Sequence, residues 1–337
     1  MSDHESFRQL VEKSVNILIT THKSPDPDAL TSSLLTLHFL KKLYPAKYYE
    51  IVVKGPKSDK EVLTELPGFD KIRWIPRREP FDFSTYDLVI ILDAGNLHMV
   101  SKKIDMHDDT TIVAIDHHDV KPNSEISLVI NEGDSAASET VFTLFKKLSG
   151  KDFTIDKITA ELTQIGIISD TNRFMWEKVS TQTYQIMADC TKVYKINMEK
   201  LFKKLIINTR DSIYVFGHIL KNAVFNDDLV YSHISPTFVA RKGLTEDDVS
   251  SGTSHFLNFY IRTLEDINWG FIVKKTSHTS GLWTVSLRSI AGSLDVMEIA
   301  QKLGGGGHTH AASTRIRADS YKDAVSQVLD FVPLSYR

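Results

Sequence analysis

Thr111-Ile112-Val113-Ala114-Ile115-Asp116-His117-His118 is an apolar run that breaks off into one acid and two imidazoles. A run of this length, rich in β-branched residues, reads as a strand buried on both faces. The same construction occurs twice upstream. Residues 15–21 end at His22, and Leu88-Val89-Ile90-Ile91-Leu92 ends at Asp93. Residues 51–53 predict a further short strand. Leu30, Leu34, Leu35 and the apolar residues of 37–40 fall at helical spacing within 29–42. Further helices are predicted over 136–148 and over 158–168, the latter running into Asp170. Strand and helix alternate, which predicts an α/β fold with a mostly parallel sheet. Ligands of such sheets bind outside the carboxyl ends of the strands. His22, Asp93 and Asp116 stand at those ends.

Downstream, residues 182–225 show few turn signals and read as connecting helices. Strands resume at 229–234, 269–274 and 283–288, and a last helix is predicted over 321–331. This predicts a second, smaller α/β unit. The expected division is 1–190 for the first domain, 191–225 for a helical linker and 226–337 for the second. A chain of 337 residues has the length for two domains, at about 150 residues each. Lys plus Arg number 40 against 43 Asp plus Glu. That balance disfavours a protein that coats long nucleic acid by bulk charge, and leaves room for a local anion site. One cysteine, Cys190, disfavours a disulfide framework and any Cys-rich zinc or iron–sulfur site. It fits a reducing compartment. The first residues lack a signal-peptide pattern, and no apolar run approaches a membrane span. The expectation is a cytoplasmic protein without membrane contact.

Four stretches carry candidate ligands. They are His22-x-x-x-Asp26-x-Asp28, Asp93 before Ala94-Gly95, Asp116-His117-His118, and Asp170 in Gly166-Ile167-Ile168-Ser169-Asp170-Thr171. Singly, each aspartate also reads as a helix cap or turn former. Together, carboxylates and imidazoles without thiolates suit Mn, Mg or Fe better than a structural zinc. They exceed the needs of one ion. Two ions about 3.5–4 Å apart, sharing a carboxylate, would use them all. Without cations such a set would repel itself strongly. In the second unit, Gly304-Gly305-Gly306-Gly307 reads either as a flexible loop or as a nest of N–H groups for an anion, with His308 beside it. Arg288 offers a planar fork for a phosphate. Phe174 and Trp176 either stack on a base or pack in the core. Lys121 and Arg173 either draw in a phosphate or are surface charges.

These motifs resemble those of the DHH/DHHA1 phosphoesterases, named for the sequence that stands here as Asp116-His117-His118. The resemblance runs from His22-Lys23-Ser24-Pro25-Asp26-Pro27-Asp28-Ala29 through Asp93 and Ala136-Ala137-Ser138-Glu139 to Gly166–Thr171. It continues in Ser286-Leu287-Arg288-Ser289 and the glycine run ending Gly307-His308-Thr309-His310-Ala311-Ala312. Size and domain pair are similar to the NrnA-like branch. The resemblance implies two Mn²⁺ ions, with Mg²⁺ as the other choice. His22, Asp26 and Asp93 would hold one, and Asp28, Asp93, His117 and Asp170 the second, with Asp93 bridging. It implies that Asp116 orients a neighbouring group and that His118 contacts the scissile phosphate and assists the leaving group. Arg288, Ser289, Gly305, Gly306, Gly307 and His308 would hold the far end of the substrate, across a cleft between the domains.

The activity so implied is hydrolysis of short oligonucleotides (nanoRNA, dinucleotides) to mononucleotides, with phosphatase action on 3′-phosphoadenosine 5′-phosphate (pAp). The alternatives are hydrolysis of cyclic di-AMP or its linear product and, more remotely, a non-catalytic nucleotide-binding module. A homodimer is expected. Ser24, Pro27, Lys121 and the stretch Asn96-Leu97-His98-Met99 depart from the family's usual residues around the ligands.

Overall fold

The computed structural model describes residues 2–107, 110–118, 124–176, 178–205, 209–275 and 281–333. The chain divides into two units, residues 1–206 and 207–337. Among the described residues, the main sheet of the first unit has six strands: Asn16–Thr21 (β1), Tyr48–Lys54 (β2), Ile72–Ile75 (β3), Leu88–Leu92 (β4), Thr111–Ile115 (β5) and Leu128–Ile130 (β6). All pair in parallel, in the order β3-β2-β1-β4-β5-β6. The chain steps outward from β1 to β3, then returns to lay β4 on the other side of β1. At such a reversal the loops leaving the strand ends diverge and open a crevice. Thr21 pairs with Leu92, and Leu92 with Ile115, so His22, Asp93 and Asp116 leave the sheet level with one another.

Alternate residues of these strands feed two cores, as the pleat requires. Ile17, Ile19, Leu88, Ile90 and Leu92 pack with the helices Asp3–Lys13 (α1), Pro27–Leu43 (α2), Ala137–Ser149 (α3) and Lys157–Asp170 (α4). Phe39 of α2 stacks on Phe145 of α3 at 4.9 Å within this core. Leu18, Val89 and Ile91 pack on the opposite face with Phe81, Phe83, Leu97 and Val100. Helix α2 is buried almost all round because it lies against β1, α3 and α4 together. Thr181–Val193 (α5) and Met198–Leu205 (α6) close the unit.

Asp156 caps α4, accepting from the Thr159 N–H at 2.9 Å. The same carboxylate accepts from Lys42 Nζ at 2.6 Å and lies 2.8 Å from His38 Nε2. Burial pushes its pKa up, but the bonds from Lys42 and Thr159 and the charge of His38 outweigh that and hold it well below the usual range. Asp156→Ala is expected to cost about 1–2 kcal/mol of stability at neutral pH, read by urea unfolding. The carboxylate ionises more readily in the folded state. Its contribution is therefore present above the ordinary carboxylate pKa of about 4 and is lost as pH falls toward the depressed folded value. The gap between parent and variant should shrink in that direction.

The second unit is a mixed sheet with helices. Arg210–Lys221 (α7) precedes Val224–Asn226 (β7) and Leu229–Ile234 (β8). Glu246–His255 (α8) leads to Trp269–Lys275 (β9) and Leu282–Ser289 (β10). Val296–Lys302 (α9), Gly306–His308 (β11), Ala311–Arg317 (β12) and Tyr321–Asp330 (α10) follow. The order is β11-β12-β10-β9-β8-β7, with β8 and β9 parallel and the other pairs antiparallel. Trp269, Phe271 and Val273 fill one core and Ile272 the other, the same alternation as in the first unit. The segment 182–225, expected to be helical throughout, holds α5, α6 and α7 and then turns into β7.

Candidate metal centre

Thr21 Oγ1 donates to the Leu92 carbonyl at 2.8 Å, tying the ends of β1 and β4 together just before the polar residues begin. Asp26 caps α2 by accepting from the Ala29 N–H at 3.0 Å, and Pro27 follows at the first helical position, where its missing N–H costs nothing. Asp28 lies in the first turn of α2 but serves another helix. Its two oxygens accept from the N–H groups of Ala137, at 2.6 Å, and Ser138, at 3.0 Å. The N-terminus of α3, where Ala136 has no capping side chain, is closed this way.

Asp93 is 2% exposed and adopts φ +54°. A left-handed backbone is unusual for a residue with a side chain, though aspartate tolerates it better than most. It points the carboxylate back across the crevice. Asp93 Oδ2 lies 3.6 Å from His22 Nε2, and Oδ1 lies 3.5 Å from both His117 Nε2 and His118 Nδ1. Asp170 ends α4, and its Oδ2 lies 3.1 Å from His117 Nε2. Asp116 plays a different part. Its Oδ1 accepts from the N–H groups of His117 (2.8 Å) and His118 (3.2 Å) and contacts His118 Nδ1 at 2.8 Å.

Three donor groups result: His22–Asp26–Asp93, Asp28–His117–Asp170, and Asp93–Asp116–His117–His118. The atoms of each group lie within 4.8 Å of one another. Asp93 and His117 are each shared by two groups, so all eight residues singled out in the first unit form one cluster. Among the described residues, Asp93 Oδ1 and both ring nitrogens of His117 are buried without a hydrogen-bond partner. Orphaned buried groups of this kind are costly unless something else binds them. Burial, then the charges of Asp93 and Asp170, push Asp28 well above the usual carboxylate range. Burial pushes Asp170 up to about 6, the neighbouring carboxylates Asp93 and Asp26 adding to it. Burial alone would lower His117, but the Asp93 carboxylate beside it and the charges of Asp170 and Asp28 raise it to about 9. A hard divalent cation at Asp93 Oδ1 and His117 Nε2 relieves the conflicts among the carboxylates, and an all-oxygen-and-nitrogen donor set fits it.

In the second unit, Arg288 pairs with Ala311 and His308 pairs with Ala311, so the three lie in line across β10, β12 and β11 on one face. Arg288 Nε donates to Asn258 Oδ1 at 2.9 Å. Burial, then the nearby Arg262, lowers its pKa to about 10, so it stays charged at neutral pH. Ser289 is on the opposite, buried face, its hydroxyl 3.0 Å from His310 Nδ1. The glycine run is neither a loose loop nor an open nest along its whole length. The N–H groups of Gly304 and Gly305 bond back to Gln301 and Ala300 and close α9, while Gly306, Gly307 and His308 form β11 at the sheet edge. A Cβ at Gly305 would meet the Ser313 carbonyl at 2.3 Å, so only glycine fits between the helix end and β12.

Phe174 packs against the first unit's core and stacks on Tyr184 at 5.5 Å. Arg173 donates to Asn172 Oδ1 at 2.6 Å and lies over the Phe202 ring. Lys121 lies outside the described residues. Asn258, which positions Arg288, carries no signal in the sequence because it lies far from Arg288 along the chain.

Residues 16–167 match the family model "DHH family, N-terminal domain" and residues 236–333 match "DHHA1 domain". The bifunctional oligoribonuclease and PAP phosphatase NrnA of Thermus thermophilus is 26% identical over 323 residues, 94% of this chain and 89% of that one. The cyclic-di-AMP phosphodiesterase PdeA of Listeria monocytogenes is 22% identical over 97% of this chain and 49% of its own length. The crystal structure of an exopolyphosphatase-related protein from Bacteroides fragilis superposes with a TM-score of 0.80 at 21% identity, covering 99% of this chain and 98% of that one. That likeness bears on the fold.

Proposed function

The chain belongs to the DHH/DHHA1 family, and from that premise we propose a metal-dependent phosphoesterase that hydrolyses short oligonucleotides to mononucleotides and dephosphorylates pAp. The observation that carries this reading is the cluster of three donor groups joined through Asp93 and His117. The NrnA relatives support the substrate class.

In this proposal His22, Asp26 and Asp93 hold one divalent ion, and Asp28, Asp93, His117 and Asp170 hold the second. Mn²⁺ is the proposed ion and Mg²⁺ the other choice. Bound there, the pair supplies Lewis acidity at the phosphoryl group and lowers the pKa of the attacking water. Asp116 engages Nδ1 of His118 and thereby gives Nε2 the task of meeting the substrate. The Asp116 hydrogen bond also raises the pKa of His118, which suits an imidazolium that touches a phosphoryl oxygen and donates a proton to the leaving oxygen. Arg288 and His308, in line across the second sheet, bind the anionic end of the nucleotide.

The test is a panel of initial rates with Mn²⁺: 5′-phosphorylated RNA dinucleotide, a longer RNA, pAp, cyclic di-AMP and its linear product. The dinucleotide is expected to be turned over fastest. A chelator is expected to bring the rate to background and added Mn²⁺ to restore it. Faster turnover of cyclic di-AMP would move the substrate assignment to that nucleotide and keep the chemistry. Nucleotide binding without turnover of any substrate would overturn the enzyme reading.

A further inference from the structure

The carboxyl edge of the parallel sheet is divided by charge. At β1, β4 and β5 it carries the acid-rich cluster. At β1, β2 and β3 it carries cations. Lys23 follows His22, Lys54 ends β2, Arg77 and Arg78 follow β3, and Lys102 and Lys103 follow the single turn Leu97–Val100. These six line one cavity of about 470 Å³, in which Glu79 is the only carboxylate. None of the six takes part in an ion pair among the described residues. The chain as a whole has more acids than bases. Unneutralised cations held together in such a chain are a feature to be explained, because like charges at close range repel.

The cavity is built rather than incidental. Lys54 is 5% exposed, and its ammonium donates to Ser101 Oγ at 2.7 Å and to the Glu79 carbonyl. Two of its three N–H donors are thus used and the charge has no counter-ion in contact. Ser101 Oγ also accepts from the Lys103 N–H at 3.2 Å, which fixes the wall formed by Val100 to Lys103. The Lys23 N–H donates to the Met99 carbonyl at 2.9 Å, holding the loop after β1 to the same wall. Arg77 Nη2 donates to Ser24 Oγ at 3.3 Å. Ser24 lies between His22 and Asp26, so this contact joins the cationic cavity to the loop that carries two of the cluster's residues. Arg77, Arg78, Lys102 and Lys103 are exposed and able to meet a ligand.

We propose that this cavity is a second phosphate subsite on the first unit, which holds a phosphate of the same nucleotide chain whose neighbouring phosphate lies at the metal centre. This rests on the phosphoesterase reading above and sharpens it. A substrate with two or more phosphates spans both halves of the edge, and an ester with a single phosphate engages only one.

The test compares the parent with Arg77→Ala/Arg78→Ala, both exposed loop positions, and with Lys192→Ala/Lys203→Ala as a control of equal charge change on distant helices. The first readout is kcat/KM for a 5′-phosphorylated RNA tetranucleotide relative to bis(p-nitrophenyl) phosphate, which has one phosphate. The ratio is expected to fall at least about tenfold in the arginine variant, through KM, and to hold in the control. The second readout is fluorescence anisotropy of the labelled tetranucleotide with chelator present, where nothing is hydrolysed. The Kd is expected to weaken at least about tenfold, and the slope of log Kd against log salt to drop by about 1 to 2. An unchanged ratio and Kd, equal losses in the control, or no tetranucleotide binding by the parent overturns the subsite. Absence of Mn²⁺-dependent turnover of either ester by the parent overturns the phosphoesterase reading instead, and the anisotropy still decides the subsite.

Discussion

Asp93→Asn is expected to lower Mn²⁺-supported hydrolysis of a dinucleotide by about a thousandfold or more, or ~4 kcal/mol of barrier. Asp93 is the one carboxylate shared by two of the donor groups, and it faces His22, His117 and His118 at 3.5–3.6 Å. Burial pushes its pKa up, but the imidazoles of His117 and His22 beside it outweigh that and leave it at about 2, so a full negative charge is held there. Asparagine keeps the shape, tolerates the left-handed backbone at φ +54°, and removes only the charge. Because the depressed pKa means that the ionised carboxylate favours the folded state, the metal-free variant is expected to fold but to unfold below the parent's midpoint. Calorimetric titration with Mn²⁺ is expected to show the loss of at least one ion. Activity within tenfold of the parent would remove Asp93 from the centre of the mechanism.

Gly166→Ala is expected to cost about 3 kcal/mol of stability and to impair the centre with it. A Cβ at Gly166 would meet Ser138 Oγ at 2.2 Å, Asp28 Oδ1 at 2.6 Å and Ser138 Cβ at 2.6 Å. No real Cβ contact is that short, and the colliding atoms are anchored rather than free to swing away. Asp28 is fixed by the N-terminus of α3, and Ser138 hydrogen-bonds Thr31 Oγ1 at 2.8 Å. Helices α2, α3 and α4 must therefore move apart, and Asp28 and Asp170 ride on two of them. Urea unfolding measures the first effect and Mn²⁺ affinity the second. A midpoint equal to the parent's would mean that the three helices do not approach as closely as described.

Much of the first unit was legible because its central strands are buried on both faces. β1, β4 and β5 present runs of Ile, Leu and Val that little else in a chain of this composition explains. The edge strands hid. β3 reads Ile-Arg-Trp-Ile, with Arg73 exposed and paired to Glu50, and β6 is three residues long. β12 alternates correctly, but it buries Ala312 and Thr314 beside Ile316, and small or polar residues carry little of the period-two signal. The cluster's residues were legible because each follows an apolar run. Their cross-connections were not. Asp28 capping a helix that starts more than a hundred residues later, or Asn258 orienting Arg288, is set by packing and leaves no local pattern. The glycine run showed that backbone freedom was needed and not what for. The answer is a helix end meeting an edge strand.

Asp28 carries a further consequence. Its oxygens are engaged by the N–H groups of α3, so the polypeptide itself holds the residue in place, whatever ion it also serves. Emptying the centre would leave α2 and α3 joined as before. Ions could then leave and return without the polypeptide refolding around each newcomer, and which metal resides there would follow the surrounding supply as much as the donor atoms. A protein organised this way would keep this pair of helices together through a spell of metal starvation, even while the rest of the cluster strained against its own charge.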